Sequence, residues 1–183
     1  GYTILNDLAV ATHVLVAEEG VKRVLVVDCD VHQGDGTAKF GAAGMLKGKM
    51  FTLSLHCASN YPRIKASSTF DVGLEDGLED DAYMAILESS VNRAIAQVGP
   101  DFVIYDAGVD IYEGDKLGRL SVSEAGIRRR DRWVLERCVA AGIPVAAVIG
   151  GGYDRDVDAL ARRHAIVHDE CGFVWRKYEM WKR

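Results

Sequence analysis

The sequence predicts an α/β fold, a three-layer parallel sheet with helices on both faces. Three observations predict it. Four short apolar runs are continuous rather than alternating, which marks strands buried on both sides. Helical periodicity separates the later runs, as in strand–helix–strand units. Each run ends in ionisable or glycine-rich residues, so the polar chemistry collects at the carboxyl edge of the sheet, where open α/β proteins bind ligands. The 183 residues show no repeat, linker or low-complexity tract. They read as one domain, 1–183, long enough to bury a core.

The elements follow in order. Leu5, Leu8, Thr12 and Leu15 form one stripe of a helix over 3–19, with Thr3 as N-cap and Gly20 as stop. Val24 to Val27 is a β-branched run ending at Asp28, and Met50 to Leu55 is a second strand ending at His56. A helix over 79–98 shares Tyr83, Ile86, Leu87, Ala94, Ile95 and Val98 on one face before Gly99-Pro100 ends it. Phe102 to Tyr105 is a third strand, ending at Asp106. Ser121 and Glu124, in capping-box spacing, open a helix over 121–142 that Gly142-Ile143-Pro144 closes. Val145 to Ile149 is the fourth strand, running into Gly150-Gly151-Gly152, and a last helix covers 154–165.

Composition narrows the function classes. A 49% apolar, 27% charged chain of net charge −5 is globular and poorly suited to gripping nucleic acid by bulk charge. No apolar run reaches the ~18 residues of a membrane span. Cys29, Cys57, Cys138 and Cys171 are widely spaced without a CxxC pair, which fits a reduced, cytoplasmic protein.

Asp30 and His32 stand two residues apart just after the first strand, so in extended chain both side chains reach the same side. Read alone, DCDVHQGDG equally fits a turn whose carboxylates cap the next helix. Asp110, after another strand, supplies a third donor and turns the reading toward a metal. Two carboxylates and an imidazole suit Zn²⁺, with Fe²⁺ or Mn²⁺ as alternatives, and three protein ligands leave a position open for water or substrate. Tyr153 follows the three glycines, where a phenol can donate to a developing oxyanion or simply pack on the sheet edge. Gly151 and Gly152 let backbone approach a ligand closely or make a tight turn. No GxGxxG or GK[ST] follows, against a phosphate cradle, and no GxSxG, against a serine hydrolase. His13, His164 and His168 read as packing or surface residues. Arg128 to Arg130 read as the solvated face of a helix. Cys57 beside His56 lacks a base in pattern and is no nucleophile candidate.

Asp28-Cys-Asp-Val-His-Gln-Gly-Asp-Gly-Thr37, Asp106-Ala-Gly-Val-Asp110 and Gly150-Gly-Gly-Tyr153, in that order, resemble the zinc-dependent histone deacetylase family. Gln33 after His32 is similar to its bacterial and class IV branch, including acetoin-utilisation-type proteins. So are Ser54 to Pro62, Asp71-Val-Gly-Leu74 and Glu113 to Gly118. The resemblance implies an arginase/deacetylase-type sheet with the metal at the strand ends. It implies hydrolysis of an acetyl-lysine-type amide to acetate and a free amine. It makes Asp30, His32 and Asp110 the zinc ligands and Tyr153 the oxyanion-stabilising hydroxyl. Asp28 and Asp35 become carboxylates that each orient one of two tandem histidines. A structural K⁺ is implied at main-chain oxygens around Asp28, Asp30, His32, Ser54 and Leu55. The tandem histidines, one of them the family's general base, and the family's N-terminal strands are not among these residues. The expectation is therefore the C-terminal part of a longer catalytic domain, with little activity alone. Three other readings stand beside it: hydrolysis of an acetylpolyamine or other small acylated amine, a silent binding module on the same fold, and a binuclear arginase-like site, which would want more ligands.

Overall fold

The computed structural model describes residues 3–182, the Met45 side chain excepted; Gly1, Tyr2 and Arg183, the ends of the predicted domain, lie outside the described residues. Five parallel strands form one sheet: Val24–Asp28 (β1), Met50–Cys57 (β2), Phe70–Leu74 (β3), Phe102–Asp106 (β4) and Val145–Val148 (β5). Their order across the sheet is β3-β2-β1-β4-β5. Every residue of β1 is buried, as its unbroken apolar run requires of a central strand.

Helices cover both faces, giving the predicted three layers. Asp7–Ala17 (α1) and Asp35–Ala42 (α2) lie on one side, where Leu8 and Ala9 pack with Val24, Val26, Met50 and Ile104. On the other, Tyr83, Leu87, Val91 and Ile95 of Asp80–Val98 (α3) meet Leu25, Val27, Leu53 and Leu55, together with Ile127 and Val134 of Glu124–Ala140 (α4). Val157–Lys177 (α5) packs on α4 through the buried Glu170, which accepts from Arg128 and Arg132. Gly99 ends α3 at φ 55°, a left-handed conformation that costs glycine no Cβ clash.

The chain steps outward from β1 through β2 to β3, then returns past β1 to build β4 and β5 on its other side. The order therefore reverses between β1 and β4, the switch point at whose carboxyl end open α/β sheets form their ligand crevice. Asp28 and Asp106 are register partners, so both strands end level.

Several boundaries differ from the sequence reading. Asn6, not Thr3, caps α1 by accepting from the Ala9 N–H, and Leu5 is exposed. Ser123, not Ser121, caps α4. His56 lies inside β2 rather than after it. The last helix runs on to Lys177 because Ile166, Val167, Glu170 and Val174 continue its buried stripe. Besides two single-turn 3-10 helices, Gly44–Leu46 and Met180–Lys182, one α-helix and one strand lie outside the sequence reading. The α2 segment carries two glycines, poor helix formers, and β3 is a half-exposed edge strand interrupted by Asp71 and Gly73. Among the described residues no helix is long and apolar enough to cross a membrane. The four cysteines are free.

Candidate metal centre

The turns after β1 and β4 meet over the crevice. Asp30, His32 and Asp110 each present a donor atom within 4.8 Å of the others, a grouping that can hold a metal ion. His32 Nδ1 lies 3.1 Å from Asp30 Oδ1 and 3.0 Å from Asp110 Oδ2. Backbone donors orient both carboxylates. Val31 N–H donates to Asp110 Oδ1 at 2.8 Å, His32 N–H to Asp30 Oδ1 at 2.7 Å, and Gly151 N–H to Asp30 Oδ2 at 2.7 Å. Asp110 is fully buried, whereas the Asp30 and His32 side chains keep 16% and 18% of their surface, so solvent reaches the cluster past those two.

Burial dominates the electrostatics. It pushes the Asp106 carboxyl up to about 7, with the Asp30 and Asp110 charges adding to the effect. It takes Asp110 to about 7 as well, with Asp30 adding while the His32 and Val31 hydrogen bonds oppose. Asp28 also sits well above the carboxylate range, through burial and then the Asp106 charge. Asp30 runs the other way: burial opposes ionisation, but the donors from His32 and Gly151 outweigh it. The His32 imidazole is raised to about 9, burial working against its charge and the Asp110 and Asp30 carboxylates prevailing. Four carboxyl groups crowd together here, three of them held above the ordinary carboxylate range by burial and by one another, and a divalent cation would favour their ionised forms. The donor set fits such an ion chemically, since carboxylate oxygens and imidazole nitrogen both ligate zinc and three protein ligands leave a fourth position open.

The glycine run is dictated by these neighbours. A Cβ on Gly150 would strike the Asp106 carboxylate, and one on Gly151 would strike the carboxylate oxygens of Asp110 and Asp30. On Gly152 it would press on Val109, Leu160 and His164 at 2.7–2.8 Å. The tight-turn alternative is thus secondary to close approach. Gly151→Ala should cost about 1–3 kcal/mol of overpacking and weaken metal binding at least about tenfold, in line with losing a group that orients a ligand. Titration against a competing chelator, beside urea unfolding, checks both figures.

Tyr153 stands across from His32, ring centroids 6.0 Å apart and nearly perpendicular. Its backbone is pinned on both sides: the N–H donates to Asp115 Oδ2 at 2.7 Å, and the carbonyl accepts from Lys116 N–H at 3.0 Å. Next to it, Asp154 pairs with the buried Arg163 of α5. Asp28 is buried and accepts from Asp30 N–H at 3.0 Å, holding the first turn of the site. Asp35 sits apart, at the start of α2, paired with Lys39 at 2.9 Å, which keeps its carboxyl below the ordinary value. Ser54 is the register partner of Asp28 and its hydroxyl meets His56 Nδ1 at 3.0 Å, while Leu55 is a core residue.

Three residues with a part in this geometry were not foreseen as such. Asp115 fixes the Tyr153 backbone. Gln33 is buried and ties the 58–69 loop down, donating to the Ala66 carbonyl and Asp71 and accepting from Ala66 N–H. Arg130 is not on a solvated face. Consecutive helix residues point about 100° apart, so only Arg128 and Arg129 reach solvent, while Arg130 is wholly buried. His164 is half-buried behind Gly152, and His13 and His168 are exposed, as packing or surface roles require.

Comparison with known proteins agrees with this architecture. Residues 1–168 match the histone deacetylase domain family. An uncharacterized protein of Picosynechococcus is 48% identical over 168 residues, covering 92% of this chain and 55% of its own length. Histone deacetylase 8 of Xenopus laevis is 30% identical, covering 84% of this chain and 48% of that protein. The solved HDA15 HD domain superposes with a TM-score of 0.74 at 30% identity, over 94% of this chain and 52% of that one. The histone deacetylase Clr3, at 21% identity and the same TM-score, supports the fold alone. The chain spans about half the length of the first three of these proteins and 30% of Clr3. Matched over nearly its whole length, it belongs to the histone deacetylase domain family.

Proposed function

We propose that this chain carries the metal half of a zinc-dependent deacetylase that hydrolyses an acetyl-lysine-type amide to acetate and a free amine. The observation that carries the reading is the convergence of Asp30, His32 and Asp110 at the β1/β4 crevice with Tyr153 facing them. Asp30, His32 and Asp110 would hold Zn²⁺. When bound, the ion polarises the amide carbonyl and acidifies the attacking water.

The remaining work falls to side chains. Tyr153 donates its phenolic hydrogen to the oxygen that gains charge as the carbonyl becomes tetrahedral. Asp115 and Arg163, through Tyr153's backbone and Asp154, hold the phenol's stem in place beforehand. Asp28 fixes the turn that aims Asp30. Asp28 and Asp35 are assigned, by family resemblance, to orient histidines from a preceding part of the domain, one of which takes the water proton. Ser54, inside β2, is the register partner of Asp28 at the end of β1, a proximity that supports a K⁺ at the main-chain oxygens of Asp28, Asp30, His32, Ser54 and Leu55. Residues 1–183 form one unit of that larger catalytic domain, acting in the cytoplasm.

The test is acetate release by the zinc-loaded, full natural chain. An acetyl-lysine peptide is expected to yield acetate and free lysine stoichiometrically, ahead of an acetylated polyamine. Faster turnover of the polyamine would move the substrate class, and no acetate from either would refute the activity.

A further inference from the structure

Arg130 of α4 is wholly buried behind the candidate metal centre, and the mechanism above leaves it without a role. Its guanidinium donates to three main-chain carbonyls: Gly108 at 2.6 Å, Ala107 at 3.2 Å and Cys29 at 3.3 Å. Its Nε donates to Asp131 Oδ1 at 2.8 Å, which also accepts from the Tyr105 hydroxyl. The guanidinium therefore bridges the turns leaving β1 and β4, which carry Asp30 and Asp110.

Each carbonyl belongs to a planar peptide unit whose N–H points the other way, and all three N–H groups face the site. The Cys29–Asp30 unit donates to Asp28 Oδ1 at 3.0 Å. The Ala107–Gly108 unit donates to Asp106 Oδ1 at 3.1 Å. The Gly108–Val109 unit donates to the Gly151 carbonyl at 2.7 Å, and Gly151 N–H in turn holds Asp30. One buried cation thus grips three peptides from behind, and their front edges hold the carboxylates and the glycine loop. Hydrogen bonds in such chains polarise one another, so the charge also strengthens the donors that face Asp28 and Asp106.

We propose that Arg130 is the positioning residue of the metal centre, setting the separation of Asp30 and Asp110 through three clamped peptide units. The proposal rests on the metal-binding reading of that cluster. Lysine cannot replace it, because a point charge on a flexible stem lacks the planar fork that meets several carbonyls at once.

The experiment uses the full natural chain loaded with Co²⁺, whose visible absorption reports ligand geometry. It compares wild type, Arg130→Lys and the double variant Arg130→Met/Asp131→Asn. The double variant removes both charges together, which buried pairs tolerate far better than loss of one partner, and the amide oxygen it introduces keeps an acceptor for the Tyr105 hydroxyl. Both variants are expected to melt cooperatively, to bind Co²⁺ about ten- to a hundredfold more weakly, and to show an altered absorption envelope. A purely structural role would lower the melting temperature and leave the envelope and the affinity of the folded protein unchanged; that result overturns the proposal. Failure of both variants to fold also overturns it, since Arg130 would then serve the fold as a whole. If the wild type takes up no Co²⁺, the metal reading itself falls and the proposal with it.

Discussion

Replacing Tyr153 by phenylalanine should lower kcat about 10²- to 10³-fold, as loss of one oxyanion donor typically does, with bound zinc unchanged. The two halves of that expectation have separate causes. Asp30, His32 and Asp110 already offer three donors within 4.8 Å of one another, the number a catalytic zinc site takes from the protein, so the Tyr153 phenol is not required as a ligand. Its ring stands 6.0 Å from the His32 ring, edge to face, which puts the phenol beside the ligand cluster. Phenylalanine keeps the ring and its packing, and the backbone contacts with Asp115 and Lys116 do not involve the hydroxyl. Binding of the ground-state amide should change little, so the loss should fall on kcat rather than KM. Steady-state kinetics with elemental analysis of the same preparation checks both. Wild-type turnover would remove the role given to the phenol, and a loss of zinc would make Tyr153 part of the ion's support instead.

Asp110→Ala should act on the ion itself. Removing this wholly buried carboxylate leaves two protein ligands, and zinc affinity should fall on the order of a hundredfold or more, given that structural zinc sites are worth about 10–16 kcal/mol over four ligands. Activity should then vanish with the metal. The alanine also strips the acceptor from Val31 N–H, which Asp110 Oδ1 now satisfies at 2.8 Å. Asp110→Asn separates the effects, because its amide oxygen can still accept from Val31 while offering a far poorer ligand. Loss of zinc in both variants, with the asparagine protein folded, is the expected outcome. Full zinc occupancy in the asparagine variant would take Asp110 out of the ligand set.

Much of this site is legible in the sequence. Continuous apolar runs identify central parallel strands because both faces of such strands are covered, and the polar residues that interrupt the runs must then lie at the strand ends. That reasoning puts Asp30, His32, Asp110 and Tyr153 on one edge. It does not reveal that the strand order reverses between β1 and β4, which is what brings Asp30 and Asp110 together rather than leaving them on distant strands. Nor does periodicity reveal Arg130. A basic triplet on a helix looks solvated until the partners of the third residue are known, and those partners are carbonyls about twenty and a hundred residues away in sequence. Asp115 and Gln33 were hidden for the same reason: each acts on backbone in a remote loop. Short elements failed differently. The α2 segment owes its helix to buried Thr37 and Ala38 and to the Asp35–Lys39 pair rather than to propensity. The β3 strand owes its place to pairing with β2, Leu53 to Cys57 against Phe70 to Leu74.

The three-residue glycine run shows how a weak motif gains meaning from its surroundings. In isolation it allows a turn, a phosphate cradle or a close approach. Gly150 and Gly151 lie against three carboxylates that leave no room for a Cβ, and Gly151 supplies an N–H to one of them. Their role follows from what stands opposite.

The most direct measurement is anomalous diffraction at the zinc edge from crystals of the full natural chain grown with Zn²⁺. A single peak is expected between Asp30, His32 and Asp110, about 2.0–2.2 Å from one oxygen or nitrogen of each. Two peaks, or a zinc-free cluster with the three side chains turned away from one another, would contradict it.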